Sequence, residues 1–441
     1  MQTDFQPFLT HGFQIKEENI AMFRHTRKKH IARAVLVLSI SICGLTNAWA
    51  DKITDWNLIA NTAENNIAGR GNPFFMVDLA YMHIAMYDAV NGIDHRYTTF
   101  AVTPTNVPAG AAKDAAAVEA GYRVFRAIIP SSQYGYVDAQ YALSMSSISN
   151  SQAKEDGKAV GAEVAALFLA SRAGDGRNNP AITYIPCGGM IPCPTPGVWV
   201  PTWPNFPSAS TPWLAVMRPF AIESPSQFRA DPPPALDSAE YLADLDETRR
   251  VGSLNSTERT SEQTDLARFF LDNAAQTGRT LRSVALDHGL GLDDEARYYA
   301  QLYVTEADSW IAGWDSKLHY GFWRPVTAIR DTGLDPTWQP ITNTPGHPEY
   351  PSAHSFMTGA YTEALRQFFG TKQMKVTLTS TIAGLDQPTR VYEDTDDILK
   401  DVVDARVYAG FHFRTSCIRG GIIGKKVAKY VARNYFSPLE K

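Results

Sequence analysis

Three short segments in the last third of the chain carry cations and histidines suited to binding an oxyanion. They span residues 317–325, 351–354 and 406–412. An arginine presents a planar fork that matches oxyanion oxygens, whereas a lysine acts as a point charge. A histidine can exchange protons near neutral pH, or act as a nucleophile or ligand. The groups concerned are Lys317, Arg324, His354, Arg406 and His412.

A helix start in the second segment adds to this oxyanion chemistry. Residues 353, 356, 357 and 360 are apolar at helical spacing, and Ser352 precedes them. Ser352 is therefore the predicted N-cap, and the free N–H groups of the first turn, with its hydroxyl, form an anion site. Three cations and this helix start suit a compact tetrahedral oxyanion with two or three negative charges.

The third segment must bend for its two functional side chains to meet. Arg406 and His412 are six residues apart and would not share a face of one continuous helix. Gly410 lies between them and lets the chain turn. Each segment alone is common in proteins, but the ordered combination within residues 317–412 is specific.

The combination resembles the signature of the type 2 phosphatidic acid phosphatase and vanadium-dependent haloperoxidase superfamily, which reads K-x6-R-P, then P-S-G-H, then S-R-x5-H. The sequence around Arg324, together with a Pro-rich connector, looks more like the larger bacterial haloperoxidase-related branch than small membrane phosphatases. The resemblance implies an all-α fold and a site for vanadate or phosphate. It implies that the oxyanion is held by Lys317, Arg324, Ser352, Ala353, Arg406 and His412.

The resemblance also implies individual roles. His412 would be the axial vanadium ligand, or the nucleophile of a phosphatase. His354 would be the acid–base group, and Lys317 would polarise bound peroxide. Trp314, three residues before Lys317, and His347, five before Ser352, are candidates for the halide pocket, and histidine at 347 resembles the bromide-oxidising members. Their alternatives are a plain core tryptophan and a histidine in a surface turn.

Three positions depart from the family pattern. Ala353 replaces a glycine and Ala405 replaces a serine. Phosphatases often have an aspartate four residues after the second histidine, where this chain has Ser416. A carboxylate there would orient a histidine nucleophile, so its absence mildly favours vanadate chemistry over phosphoenzyme chemistry.

The resulting functional hypothesis is a secreted vanadate-dependent haloperoxidase. It would oxidise a halide, bromide favoured, with hydrogen peroxide to hypohalous acid, which then halogenates a small organic acceptor. The first alternative is an acid phosphatase that uses the same pocket with a histidine nucleophile and no vanadate. A second alternative, supported only by Ala353 and Ala405, is a non-catalytic oxyanion-binding protein.

The composition and the helical patterns indicate a large all-α protein. The 441 residues are 44% hydrophobic, and the net charge of −5 argues against a nucleic-acid partner. Fourteen of the 27 prolines lie between positions 180 and 234, among several tryptophans, and clean strand patterns are scarce. We therefore expect two packed helical bundles, at 51–180 and 237–436, joined by a Pro- and aromatic-rich connector at 181–236. A homo-oligomer is possible.

The first 50 residues resemble a secretory signal peptide behind an N-terminal extension. Basic residues at 24–33 precede an apolar run at 34–45 and an A-x-A site ending at Ala50. The apolar run is too short to span a membrane, and no later stretch is long enough, so a periplasmic or secreted product is expected. In such a compartment Cys187 and Cys193 are expected to form a small disulfide loop, with a metal site as the alternative.

Overall fold

The computed structural model describes residues 51–439, apart from 68, 71–72, 190–194 and 273. The predicted signal peptide and Cys193 lie outside these residues. Cys187 is disulfide-bonded, and Cys417 is a buried free thiol. Within the described ranges no helix is both long and apolar enough to cross a membrane. No group of three or more histidine, cysteine or acidic side chains in them could hold a metal ion.

Among the residues that the structure describes, five α-helices form the N-terminal group, and the second of them is its buried centre. Nearly the whole length of that helix is inaccessible to solvent, and its histidine His83 is fully buried. A serine N-cap, Ser151, accepts a hydrogen bond from the N–H of Lys154 and starts the fifth helix. The helices are α1 (Lys52–Asn61), α2 (Phe74–Asp94), α3 (Lys113–Ile128), α4 (Tyr134–Ser146) and α5 (Gln152–Ser171).

The described part of the connector is anchored by some of its aromatic residues. Trp199 is fully buried, and Trp213, in the 3₁₀ helix Pro212–Val216, is buried against Phe74 with ring centroids 5.4 Å apart. Trp203 and Phe206 are exposed. Phe220 and Phe228 also pack against helix residues, Tyr81 and Tyr430, with ring centroids 5.4 and 5.7 Å apart. Several aromatic side chains therefore hold the connector to the helices.

Eight α-helices and one hairpin form the C-terminal group. Its central helix, α9, packs against α2 of the N-terminal group as well as against α11 and α13. The mostly helical architecture confirms the predicted fold class, whereas the domain boundaries at 180 and 237 stay predictions. The helices are α6 (Ala239–Val251), α7 (Ser261–Phe269), α8 (Ala274–Asp287), α9 (Leu292–Tyr320), α10 (Pro325–Asp331), α11 (Ala353–Phe369), α12 (Thr395–Tyr408) and α13 (Arg414–Asn434).

Close contact between α11 and α13 depends on glycine. A Cβ atom placed on Gly424 of α13 would overlap the carbonyl oxygen of Phe356 on α11, and one on Gly359 would overlap that of Gly421. The two helices thus meet backbone to backbone. Because Ser352 is the N-cap of α11, this contact sets the position of the predicted anion-binding helix start.

A buried aspartate on each central helix fixes a loop segment. Asp308 of α9 accepts hydrogen bonds from three consecutive backbone N–H groups, at 220–222, at 2.7–2.9 Å. Asp88 of α2 does the same for the N–H groups at 100–102, each at 2.9 Å. These bonds satisfy backbone donors that would otherwise be buried without acceptors.

One small sheet was not expected from the sequence. Strands β1 (Gln373–Thr379) and β2 (Thr389–Asp394) pair antiparallel between α11 and α12. Burial alternates along β1, since it faces the protein on one side and solvent on the other. The hairpin contributes none of the predicted site residues.

Candidate oxyanion site

The buried end of α9 carries the first cation. Lys317 lies in the last turn of α9 and is fully buried. Its ammonium donates to the carbonyl oxygens of Pro348 and Glu349, at 2.8 and 3.0 Å. Trp310, Trp314 and Lys317 share one face of α9: the indole rings are 4.9 Å apart, and the ammonium lies 5.7 Å from the Trp314 ring.

Arg324 connects two of the predicted segments. It is the N-cap of α10, fully buried, and its proline neighbour begins that short helix. Its guanidinium donates to the carbonyl oxygens of His347 and Phe411, at 3.0 and 2.9 Å, and to Nε2 of His412 at 3.1 Å. A second arm lies 3.1 Å from Nδ1 of His347.

The segment 345–349 is a common support for the site. Its carbonyl groups accept from Lys317 and Arg324, and its last side chain, that of Glu349, contacts His412. The segment joins α10 to α11, so groups from three distant parts of the chain are positioned against one short stretch of backbone.

The start of α11 is open, as the sequence predicts. Ser352 is the N-cap, but its hydroxyl does not cap the helix and has no hydrogen-bond partner among the described residues. Nε2 of His354 is likewise buried and unpartnered within the described ranges. The first-turn N–H groups of a helix have no intrahelical acceptors. These donors and the serine hydroxyl are available to a ligand.

The third segment bends where the glycine allows it. Helix α12 ends at Tyr408, and Gly410 adopts φ +75°, so the chain turns between Arg406 and His412 as predicted. Both side chains are 1% exposed. Arg406 donates to the carbonyl oxygen of Phe270, while its Nε has no partner in the part of the chain that the structure describes.

The orientation of His412 follows from its two partners. Arg324 can only donate, so Nε2 of His412 carries the lone pair and Nδ1 carries the hydrogen. Nδ1 then donates to Oε1 of Glu349 at 2.9 Å, and that oxygen also accepts from the N–H of Phe413 at 3.0 Å. Nε2 is therefore the nitrogen that can act as a nucleophile or a ligand, once its lone pair is released from the Arg324 guanidinium.

Glu349 was not predicted from the sequence. It lies outside the signature, in which the only expected position for a carboxylate partner of His412 is 416. Glu349 supplies a carboxylate to His412 from another segment. The prediction that the lack of an aspartate at position 416 favours vanadate chemistry was therefore wrong. The signal available in the sequence was weak: an acidic residue three positions before the N-cap serine, between two prolines.

Burial and mutual repulsion shift the site towards neutral histidines and weaker cations. Burial, with the neighbouring cations, lowers the pKa values of His347, His354 and His412 well below their ordinary range. Burial lowers the pKa of Arg324 to about 9 and that of Arg406 to about 10, and it brings the pKa of Lys317 well below its usual value. The pKa values shift because several positive charges lie close together, away from water. An anionic ligand bound among them would offset this repulsion.

The two halide-pocket candidates lie together. The rings of Trp314 and His347 have centroids 5.1 Å apart, and both residues are buried. The alternative of a histidine in a solvent-exposed surface turn is therefore excluded by its burial. His83, outside this site, is fully buried, and its Nε2 lies 3.0 Å from Nδ2 of Asn57. Cys417 is fully buried, and burial raises the pKa of its thiol to about 12.

The groups that converge here fit a vanadate or phosphate ion. Among the described residues, the buried side-chain atoms without a partner include two donors and one histidine nitrogen, on Ser352, Arg406 and His354. One carboxylate oxygen, Oε2 of Glu349, also has no partner there. His354 experiences the charges of all three cations. Ala353 retains its backbone N–H, and Ala405 is a buried alanine where the family has serine. The site is thus a buried cluster of cations and unpartnered donors that suits an oxyanion.

Comparison with known proteins gives consistent results. A family model described as the VCPO second helical-bundle domain matches residues 297–441. Vanadium chloroperoxidase from Curvularia inaequalis is 28% identical over 220 residues, which are 40% of this chain and 36% of that protein. The chain therefore matches about a third of the length of that relative.

Solved structures share the fold. A structure described as the first bacterial vanadium-dependent iodoperoxidase has a TM-score of 0.75 at 23% identity, covering 88% of this chain and 97% of that one. An apo-type bacterial vanadium-dependent chloroperoxidase has a TM-score of 0.68 at 17% identity, covering 81% and 93%. At these identities the structures establish the fold alone.

The helical fold is thus the one seen in bacterial vanadium-dependent haloperoxidase structures. The matched domain model and the curated relative support the predicted family: residues 297–441 are similar to the second helical-bundle domain of a vanadium chloroperoxidase.

Proposed function

We propose that this protein is a vanadate-dependent haloperoxidase that oxidises bromide with hydrogen peroxide to hypobromous acid. The observation that carries the proposal is the convergence of three buried cations on an open helix start, beside the lone pair of His412. Secretion, through the N-terminal segment before residue 51, is part of the same proposal.

Each residue has a distinct part in holding the cofactor. Lys317, Arg324 and Arg406 would neutralise its charge, and Ser352 and the N–H of Ala353 would donate to its oxygens. His412 would coordinate vanadium through Nε2, held in place by Glu349. Bound vanadate supplies a Lewis acid that activates peroxide towards halide.

The neutral histidine and the lysine would handle protons and charge. The depressed pKa of His354 keeps it neutral at pH 7, so its Nε2 can accept a proton from incoming peroxide. Lys317 has two of its N–H groups on backbone carbonyls and can direct the third at the reacting oxygen. Fixed donors of this kind stabilise developing negative charge without reorganising.

The halide assignment depends on Trp314 and His347. Their paired rings border the cationic pocket, and His347 is tied to Arg324. We expect His347→Phe to lower bromide oxidation at least tenfold while vanadate binding is retained. Rates with iodide, bromide and chloride, measured at equal vanadate loading, test this. An unchanged ratio of bromide to iodide rates in the variant contradicts the assignment.

The central experiment concerns His412. His412→Ala should abolish tight vanadate binding and peroxide-dependent bromide oxidation, because it removes the only proposed protein ligand to the metal. His319→Ala on the exposed end of α9 is the matched control and should behave like the wild type. Binding is measured by vanadium content after dialysis. Tight binding and full activity in His412→Ala would refute the proposal.

An acid phosphatase remains the second candidate, and Glu349 is the observation that favours it. A carboxylate on Nδ1 would activate Nε2 of His412 for attack on phosphorus, with His354 protonating the leaving group. A paired assay separates the two functions: bromide oxidation by the vanadate-loaded protein, and hydrolysis of a phosphomonoester by the vanadate-free protein.

A further inference from the structure

A cleft of about 600 Å³ lies between the N-terminal helix group and the connector. Its walls are largely apolar and aromatic, and the described lining carries no ionised side chain. Burial raises the pKa of Tyr184, its one titratable group, which is therefore neutral. The lining includes Phe74, Ile182, Tyr184, Ala209, Pro212 and Trp213.

One wall of the cleft is shared with the oxyanion site. The strap, residues 207–211, supplies four consecutive lining residues, from Ser208 to Thr211. Its other side touches the proposed halide pocket: the carbonyl oxygen of Ser210 accepts from the indole N–H of Trp314 at 3.1 Å, and its N–H donates to Gly346 at 2.8 Å. The cleft and the Trp314 ring thus lie against the same short segment, with Ser210 in contact with both.

The strap also holds an unused hydroxyl. Thr211 adopts φ +48°, an uncommon backbone conformation for a β-branched residue. Its Oγ1 is buried and, in the described chain, has no hydrogen-bond partner. A cleft with aromatic walls, no charge and an unsatisfied hydroxyl suits a planar, uncharged ligand that carries one polar group.

We propose that this cleft binds the organic acceptor, and that the acceptor is an uncharged, electron-rich aromatic molecule such as an indole or a phenol. The inference rests on the proposed haloperoxidase function. Hypobromous acid formed beside Trp314 would be separated from a molecule in the cleft only by the strap. The aromatic carbon attacks bromine, the Br–O bond breaks, and the ring loses its proton, so that the products are a C–Br bond and water.

Indole binding to the protein without vanadate or peroxide tests the site independently of catalysis. Calorimetry should show saturable binding of one indole per chain, and indole-3-carboxylate should bind at least tenfold more weakly because the cleft offers its charge no partner. Ala209→Trp fills the cleft and should abolish binding. Ala109→Trp, in an exposed loop, is the matched control and should bind like the wild type. Absent binding, or equal binding in Ala209→Trp, overturns the proposal.

Competition between acceptors tests the link to the oxidant. In the presence of vanadate, bromide and peroxide, indole and a water-soluble β-diketone compete for the oxidant. The ratio of brominated indole to brominated β-diketone obtained with free hypobromous acid, without the protein, is the reference. The wild type should favour indole several-fold over that reference. Ala209→Trp should return to the reference ratio while its rate of bromide oxidation is unchanged. A wild-type ratio equal to the reference overturns the proposal. If the wild type oxidises no bromide, the haloperoxidase function fails, and calorimetry still decides whether the cleft binds indole.

Discussion

At the scale of single residues, the site depends on side chains that hold one another in fixed protonation states. His412 lies between a guanidinium that can only donate and a carboxylate that accepts. Burial raises the pKa of Glu349 to about 7, although Arg324 and Lys317 partly offset the effect. The pair fixes which imidazole nitrogen carries the lone pair, and a ligand at Nε2 must replace the hydrogen bond from Arg324.

Substitution of Glu349 tests this orientation. Glu349→Gln keeps the shape but replaces the charged acceptor, and we expect vanadate affinity to fall about 10–100-fold. Vanadate dissociation constants, measured by titration, report the loss separately from activity. Glu393→Gln, at an exposed strand position, is the control. If Glu349→Gln binds vanadate as tightly as the wild type, Glu349 does not position His412.

The sequence indicated the cations and histidines of the site but not their supports. Lys317, Arg324 and His412 could be identified because each sits at a characteristic spacing from its neighbours. Glu349 and the carbonyl groups of 345–349 could not, since any residue supplies a carbonyl and no spacing distinguishes this glutamate. Contacts between segments far apart in the chain decide such roles.

At the scale of secondary-structure elements, glycine determines how α11 meets α13. The sequence predicted α11 and its N-cap correctly, because its apolar residues repeat at helical spacing. It did not indicate that Gly424 and Gly359 lie between two backbones. The β1–β2 hairpin was missed for a related reason: its alternation extends over only a few residues, and only burial against the helices makes it recognisable.

A matched pair of glycine substitutions tests the role of this crossing. Gly424→Ala should destabilise the protein by about 1–3 kcal/mol, because its methyl group would overlap Phe356. Gly135→Ala, on α4 with open space around it, should stabilise by up to about 1 kcal/mol from helix propensity alone. Urea unfolding gives both values. Gly424→Ala should also weaken vanadate binding, because it moves the start of α11. Equal effects of the two substitutions would show that the crossing is not tight.

The loop segments held by buried aspartates allow a second test at this scale. Asp308→Ala would leave three buried N–H groups at 220–222 without acceptors, and we expect a loss of about 3 kcal/mol or more. Asp315→Ala, which breaks only a partly exposed ion pair with Arg229, should cost about 1 kcal/mol or less. Unfolding free energies at pH 7 distinguish the two outcomes, and comparable losses would mean that Asp308 does not anchor the connector.

At the scale of the whole molecule, polar groups buried between the helix groups link their stability. His83 on α2 stacks against both Tyr299 and Tyr303 of α9, with ring centroids 4.9 and 5.1 Å away. Asn57 of α1 lies 3.0 Å from its Nε2. The helices around His83 are far apart in the chain, so its role in joining them could be seen only in the structure.

The pH dependence of stability is the prediction that follows from this contact. Burial lowers the pKa of His83 from 6.5 to about 3, so the folded protein keeps it neutral while the unfolded chain protonates it below pH 6.5. Its contribution is complete above pH 6.5 and is lost as the pH falls from 6.5 towards 3, by up to about 1.4 kcal/mol per pH unit. His83→Gln should be less stable at pH 7 but lose stability less steeply on acidification. His95→Gln, at an exposed position, should retain the wild-type slope. Urea unfolding between pH 7 and 4.5 measures these slopes, and identical slopes for the wild type and His83→Gln would contradict a neutral buried histidine between the two helix groups.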